Sequence, residues 1–348
     1  MNRGGRSDRW SFGPPLHASI VIPVFTPARK GNKILNSMFT HRRRFLQSSA
    51  ALAAGMLVPG ARDGFGQPEP ASRLALPRVK LGEHSVSRMI IGANPFYGYS
   101  HFNRLLDQLM REWCTPDNVA KTLQQCEQNG VNTWQFSHHA RSIADLKRHR
   151  ADGGELQWIL LSSRAMEEDL GLIDELAKLK PIGIVHHGGT TDQRWRNGEQ
   201  AKIKEFTKRV RDAGVMVGIS THNPAVVESI EAQGWDVDFF MTCVYNVSRT
   251  REELRQILGV TPPYGEVFLP EDPERMYRAV RATRKTCLAF KILAAGRLID
   301  DPKDVDRAFQ FAFENVKPQD AVIVGMYPKF TDQVSENAAR VRRILKAA

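Results

Sequence analysis

Residues 215–246, VMVGISTHNPAVVESIEAQGWDVDFFMTCVYN, decide the fold. An apolar run ends at Gly218-Ile219-Ser220-Thr221-His222, Asn223-Pro224 turns the chain, and a short amphipathic stretch follows. A second apolar run, 239–244, ends at Tyr245-Asn246. Strand, helix, strand is the unit of a parallel sheet, because a parallel neighbour is reached only through a crossover.

The same alternation extends in both directions. A hairpin is expected over residues 78–87, then strands at 89–92, 131–136, 156–161, 182–185, 215–219, 239–244, 287–293 and 321–324. Helices are expected at 116–128, 142–150, 166–179, 199–213, 224–233, 271–283, 303–315 and 332–346. Thr115, Pro116 and Gly130 supply cap, first-turn and stop signals for the first of these. Eight strand–helix pairs predict an α/β fold, a closed (β/α)8 TIM barrel, for which about 250 residues are usual. An open doubly wound sheet would carry a GxGxxG turn after its first strand, and ANPFYG stands there instead. Two connections are long, 94–115 and 248–270, and both follow strands. They belong at the C-terminal face, where barrel sites are built, and their aromatic content predicts ordered lids.

Net charge is +11 over 348 residues, a balance that invites a nucleic-acid reading. Its distribution excludes one. Residues 1–66 hold ten basic and two acidic residues, and the remaining chain holds 39 and 36. No basic stripe with interleaved aromatics is left for a phosphate backbone. The basic segment has a targeting explanation. Arg42-Arg43-Arg44-Phe45-Leu46 precedes the apolar, alanine-rich stretch 48–58 and the small-residue end Pro59-Gly60-Ala61. That order is the plan of a signal peptide, with the paired arginines of a twin-arginine signal. The apolar stretch falls short of the roughly 20 residues a bilayer span needs. The expectation is export to a bacterial periplasm through the twin-arginine translocase, with no stable membrane span. The chain then divides into an extension and signal at 1–66, a Pro-rich linker at 67–77 and the barrel at 78–348. Cys114, Cys126, Cys243 and Cys287 form no CxxC and read as buried free thiols.

Several stretches together resemble the aldo/keto reductase superfamily. They are the opening LG…VSRMIIG, Asn129-Gly130-Val131-Asn132-Thr133, the GISTH…YN of the central stretch, FKILAAGRL at 290–298, and AVIVGM at 321–326 with QVSEN at 333–337. The resemblance implies carbonyl reduction by hydride from NADP or NAD. It implies that Ser220, Tyr245 and Asn246 hold the nicotinamide end, and that Gly325, Lys329, Gln333 and Asn337 hold the phosphate end beside Arg340. It also implies a catalytic aspartate, tyrosine, lysine and histidine, and here the chain departs. Gln135 stands at the aspartate position, no tyrosine occurs in 134–141, and Ser162-Ser163-Arg164 stands where the lysine should be. Only the histidine place is kept, at His186-His187.

Histidine is what the strand ends offer instead: His138 and His139 after the second strand, His186 and His187 after the fourth, His222 after the fifth. Imidazole serves acid–base work near neutral pH and also binds metals. The sequence reading therefore names His139, His186, His187 and Gln135 as catalytic candidates, with His139 or His186 as the acid. A non-redox lyase, isomerase or hydrolase, assisted by a divalent metal with Asp192 or Glu266 as acidic ligand, is the alternative. A binding protein for a small molecule, without catalysis, is the third.

Overall fold

The computed structural model describes residues 75–346. The signal segment and most of the linker lie outside the described residues. Strands β1 (Arg78–Leu81) and β2 (His84–Ser87) form an antiparallel hairpin. Eight parallel strands follow: β3 (Met89–Gly92), β4 (Thr133–Ser137), β5 (Gln157–Leu161), β6 (Gly183–His186), β7 (Met216–Thr221), β8 (Phe239–Cys243), β9 (Thr286–Phe290) and β10 (Ala321–Gly325). They close in that order, with β10 pairing back onto β3 at Val322↔Met89. The eight-stranded barrel and its preceding hairpin are as the sequence predicts.

Alternation along each strand sorts the side chains. Ile90, Ile159, Val185, Phe239, Leu288 and Ile323 fill the barrel, and Leu81 and Val86 of the hairpin close its lower end. The opposite faces, among them Trp134, Trp158, Ile184 and Phe240, bury against the helices. Gly183 and Gly218 have no side chain because the Phe239 ring occupies their space. A Cβ on Gly218 would lie 2.7 Å from both Phe239 Cζ and Val185 Cγ2.

The helices number more than the sequence reading expects. In chain order they are α1 (Arg104–Trp113), α2 (Pro116–Gln128), α3 (Ala140–Ala151), α4 (Arg164–Glu168), α5 (Gly171–Ala177), α6 (Gly188–Arg196), α7 (Gln200–Asp212), α8 (Pro224–Ala232), α9 (Arg251–Leu258), α10 (Asp272–Ala282), α11 (Pro302–Asn315) and α12 (Gln333–Lys346). The helix expected at 166–179 is two, because the Asp169 side chain accepts from Gly171 N–H and restarts the chain at 2.9 Å. Both long connections contain a helix. α1 is capped by Asn103 and α9 by a reciprocal Thr250–Glu253 box. α6 begins directly at the end of β6, with His187 as its cap. All four cysteines are free and buried. No helix among the described residues is long and apolar enough to cross a membrane.

Gly218→Ala should destabilise the barrel by about 1–3 kcal/mol, the usual cost of overpacking. Denaturant unfolding followed by circular dichroism measures this, and an unchanged midpoint would mean that Phe239 does not fill the interior as described.

Candidate active site

The end of β6 divides two neighbouring histidines. Val185 points into the barrel, so His186 points out, fully buried with its ring edge-on to Phe206 of α7 at 5.0 Å. His187, one residue on, turns to the barrel mouth and caps α6, its Nδ1 accepting from Gly189 N–H at 3.2 Å. The acid role expected of His186 therefore fails on geometry, because strand alternation sends its ring behind the barrel wall. Gly188 has to be glycine. A Cβ there would approach Ser220 Oγ to 2.9 Å and His222 Cε1 to 3.1 Å.

One turn into α6, Asp192 reaches across to β7. Its carboxylate is 4% exposed and accepts from Thr221 Oγ1, from His222 N–H at 3.0 Å and from His222 Nδ1 at 2.8 Å. A buried carboxylate is tolerated when its lone pairs are filled in this way. The bond fixes the His222 proton on Nδ1 and leaves Nε2 without a hydrogen bond among the described residues. Such a carboxylate–imidazole pair orients a general acid–base group. Burial, then the charges of His222 and His186, push His187 down to about 4, with Glu167 and Asp192 pulling weakly the other way. His187 is thus neutral over the physiological range, and because its Nδ1 accepts from Gly189 its Nε2 carries the proton and is a hydrogen-bond donor.

The opposite rim is built by three loops. Lys291, just past β9, has φ +61, and His101 in the first long loop has φ +59. Non-glycine residues rarely occupy this left-handed region, and such strain gathers at functional sites. Lys291 Nζ, its side chain 7% exposed, lies 3.4 Å from Glu266 Oε2, and His101 Nδ1 lies 2.8 Å from Glu266 Oε1. Asn94 Nδ2 donates to His101 Nε2 at 3.1 Å, which leaves Nδ1 to donate to Glu266. The Arg297 guanidinium is sandwiched between Phe102 at 4.5 Å and Phe268 at 4.0 Å, and donates to the His101 carbonyl. Burial alone would raise the Glu266 carboxyl, but His101 and Lys291 outweigh it and hold the group at about 2. The loops after β3, β8 and β9 are clasped together at this point.

The remaining predicted residues divide into two groups. Gln135 lies beside Gly92 in register, 7% exposed, between the outward-packed Trp134 and Phe136. It therefore faces inward, and its amide has no hydrogen bond among the described residues. Ser220 is buried on the inward face of β7, its hydroxyl likewise unbonded among the described residues, and Tyr245 packs on Phe268 at 5.2 Å. These join His187 and His222 at the barrel mouth. His139 does not. It caps α3 by accepting from Ser142 N–H at 3.2 Å and packs edge-on to Tyr97 at 4.2 Å. The acid role expected of it is corrected on that ground: Nδ1 is taken by the cap, and Nε2 is buried with no partner among the described residues. His138 bonds Ser163 Oγ at 2.8 Å.

Asn246 braces its own loop, its N–H donating to Asp272 and its Oδ1 accepting from Ser248. Gly325 ends β10 against Pro95, 3.0 Å from where its Cβ would be. Gln333 Oε1 accepts from Tyr327 N–H, Asn337 Oδ1 accepts from Arg340, and Arg340 is paired with Asp306 at 2.7 Å. Lys329 is exposed over the Phe330 ring, with no ion pair among the described residues.

No group of three or more His, Cys, Asp or Glu among the described residues is arranged to hold a metal ion. The paired histidines diverge, and Asp192 already takes His222 Nδ1, so the metal alternative lacks a ligand set. Sequence reasoning weighed Asp192 and Glu266 only as metal ligands, and it missed His101, Lys291 and Arg297 altogether. A lysine inside the apolar run FKIL was the available signal.

No family model matches the chain, and no curated protein does. Solved structures similar to it include a glycerol dehydrogenase from Gluconobacter oxydans, at 12% identity and TM-score 0.46, covering 78% of this chain and 95% of that one. An aldo/keto reductase from Brucella melitensis is 14% identical at TM-score 0.40, covering 78% and 91%. A truncated 3-deoxy-D-arabino-heptulosonate 7-phosphate synthase from Thermotoga maritima is 14% identical at TM-score 0.47, covering 79% and 92%. At these values nothing about the site is transferred from them, and the barrel rests on the strand pairing given above.

The Glu266 carboxyl sits below its ordinary 4.5, so the stability it contributes is complete above pH 4.5 and is lost as pH falls toward 2. Glu266→Gln should lower the thermal midpoint at about pH 7, and the gap to the unaltered protein should narrow steadily on acidification toward about pH 3. A gap independent of pH would contradict the clasp.

Proposed function

We propose that the chain is an exported, aldo/keto reductase-like oxidoreductase acting on a small carbonyl or sugar-like substrate with NADP or NAD, without the usual aspartate, tyrosine and lysine. One observation carries the reading: the Asp192-held His222 opens with His187, Ser220 and Gln135 onto a single barrel mouth. The nicotinamide end fits the residues present, since the Ser220 hydroxyl is unbonded and Tyr245 lies at the same mouth. At the phosphate end Gln333 and Asn337 are engaged within the protein, so Lys329 at the approach to α12 is the group that would meet the phosphate. Residues 1–66 would direct export to the periplasm through the twin-arginine translocase, and residues 67–77 would link them to the barrel.

A bound nicotinamide supplies or accepts a hydride at the substrate carbon. The chain's own part is the proton and the pocket. His222 Nε2 gives the carbonyl oxygen its proton, and Asp192 stabilises the imidazolium that precedes the transfer. Neutral His187, its Nδ1 taken by Gly189, donates from Nε2 to a substrate oxygen, and the Gln135 amide can both donate and accept. The clasp of His101, Glu266, Lys291 and Arg297 limits water at the mouth. Gln135 keeps a place at the site in a binding role, since an amide cannot exchange a proton near neutral pH. Two imidazoles on one rim also favour a second reading, proton transfer next to a carbonyl without redox.

The mature protein should oxidise NADPH or NADH in the presence of small aldehydes or aldoses. His222→Ala should lower kcat by about 10²–10⁴-fold with a smaller change in KM. Absence of any nicotinamide-dependent turnover, together with deuterium uptake next to the carbonyl from heavy water, would replace the redox reading by the second.

A further inference from the structure

Of the ten large apolar side chains exposed among the described residues, all but Phe311 lie in connections that follow barrel strands, so they gather at the face that carries the mouth. Single exposed apolar groups are ordinary, whereas a cluster on one face marks a contact surface. The patch is fullest on α1. No residue of this helix is buried, and Leu105 and Leu109 stand one turn apart on the same side, 68% and 40% exposed. Exposed Phe102 extends the stripe at one end. Exposed Phe330 borders it, held edge-on to Tyr327 at 6.1 Å, whose hydroxyl donates to the Leu109 carbonyl at 3.0 Å.

The charges of α1 sort by face. Asp107 accepts from Ser100 N–H at 2.9 Å, and Arg111 donates to the Gly98 carbonyl at 3.5 Å, so both reach back onto the loop beneath. Arg104 and Glu112 are exposed and make no ion pair among the described residues, although Glu112 accepts from Gln108 at 2.7 Å. They stand about 12 Å apart along the axis. Their order is the reverse of what the helix itself favours. An anion stabilises the N-terminal end and a cation the C-terminal end, which Asp107 and Arg111 satisfy and Arg104 and Glu112 violate. An outward face with leucines between opposite charges at its two ends is complementary to the same face turned end for end.

We propose that α1 is a contact between two copies of this chain. The helices pack antiparallel about a two-fold axis, leucines together, with Arg104 of each copy beside Glu112 of the partner subunit. A two-fold contact requires this self-complementarity, and the antiparallel arrangement also sets opposite ends of the two helix dipoles side by side. A lipid surface suits α1 less well. Interfacial helices carry an excess of Lys and Arg, and α1 has two basic and two acidic residues. A helix of ten residues offers about 15 Å of contact, small for a permanent interface, so the affinity expected is micromolar. His101 and Phe102 of the clasp immediately precede α1, so the contact also bears on the rim of the mouth.

Sedimentation velocity of the mature protein over about 1 to 200 µM, a range that spans a micromolar equilibrium, tests the contact. A monomer–dimer equilibrium is expected, and Leu105→Glu with Leu109→Glu should leave monomer alone. Because α1 buries no residue, that variant should keep the circular dichroism and thermal midpoint of the unaltered protein. Arg104→Glu and Glu112→Arg should each weaken the dimer by about tenfold, since each alters two pairs at once, and the two together should restore it. An unaltered protein that stays monomeric throughout overturns the proposal, whether or not any variant folds. Should that monomer float with phosphatidylcholine vesicles, the patch belongs to a lipid surface instead. A dimer that survives the paired glutamate substitutions, or that the paired charge reversals fail to restore, also overturns it.

Discussion

The Asp192 carboxylate is the constraint on which the site depends. Buried at the first turns of α6, it would be intolerable unless its lone pairs were filled, and all its partners come from the end of β7. That requirement ties a helix to the neighbouring strand, sets which nitrogen of His222 carries the proton, and holds the ring at the mouth. It also demands close approach, and the absence of a side chain at Gly188 permits it. Behind the barrel wall the same helix is secured by Thr191, whose hydroxyl meets His186 Nδ1 at 2.7 Å, and by Arg194, paired with Glu167 of α4 at 2.8 Å. The orientation of His222 is thus a consequence of how α6 is seated.

Around this the barrel supplies ordinary geometry. Period-two alternation sends His187 one way and His186 the other, and it gathers Gln135 and Ser220 inside above a floor of aliphatic side chains. Three loops then meet over the opening, held by a carboxylate between two cationic or proton-donating groups and by an arginine between two aromatic rings. The left-handed backbone at His101 and Lys291 is the local cost of bringing their side chains to that meeting point.

The architecture was legible in the sequence because the period changes from two to 3.6 eight times, and strand ends such as GISTH and YN fall at regular places. α9 was legible too, through the Thr250–Glu253 capping signature, although it was read as loop. α1 was harder, since Leu105 and Leu109 remain exposed and its apolar spacing answers to no core. The site was only half legible. Histidines after strands are visible in a sequence, but which of two adjacent rings faces inward depends on the strand's phase. That phase turned His186 outward and left His139 as a helix cap. The ion pairs of Asp192 with His222 and of Glu266 with Lys291 and His101 join residues 25 to 165 positions apart. No local pattern encodes them.

We propose that this mouth receives a nicotinamide ring beside the Asp192-held His222. Quenching of tryptophan fluorescence in the mature protein on titration with NADPH and NADH tests that claim most directly. Saturable quenching by one of them, weakened in Ser220→Ala, is the predicted result. A linear, unsaturating response to both, with Ser220→Ala indistinguishable from the unaltered protein, would contradict it.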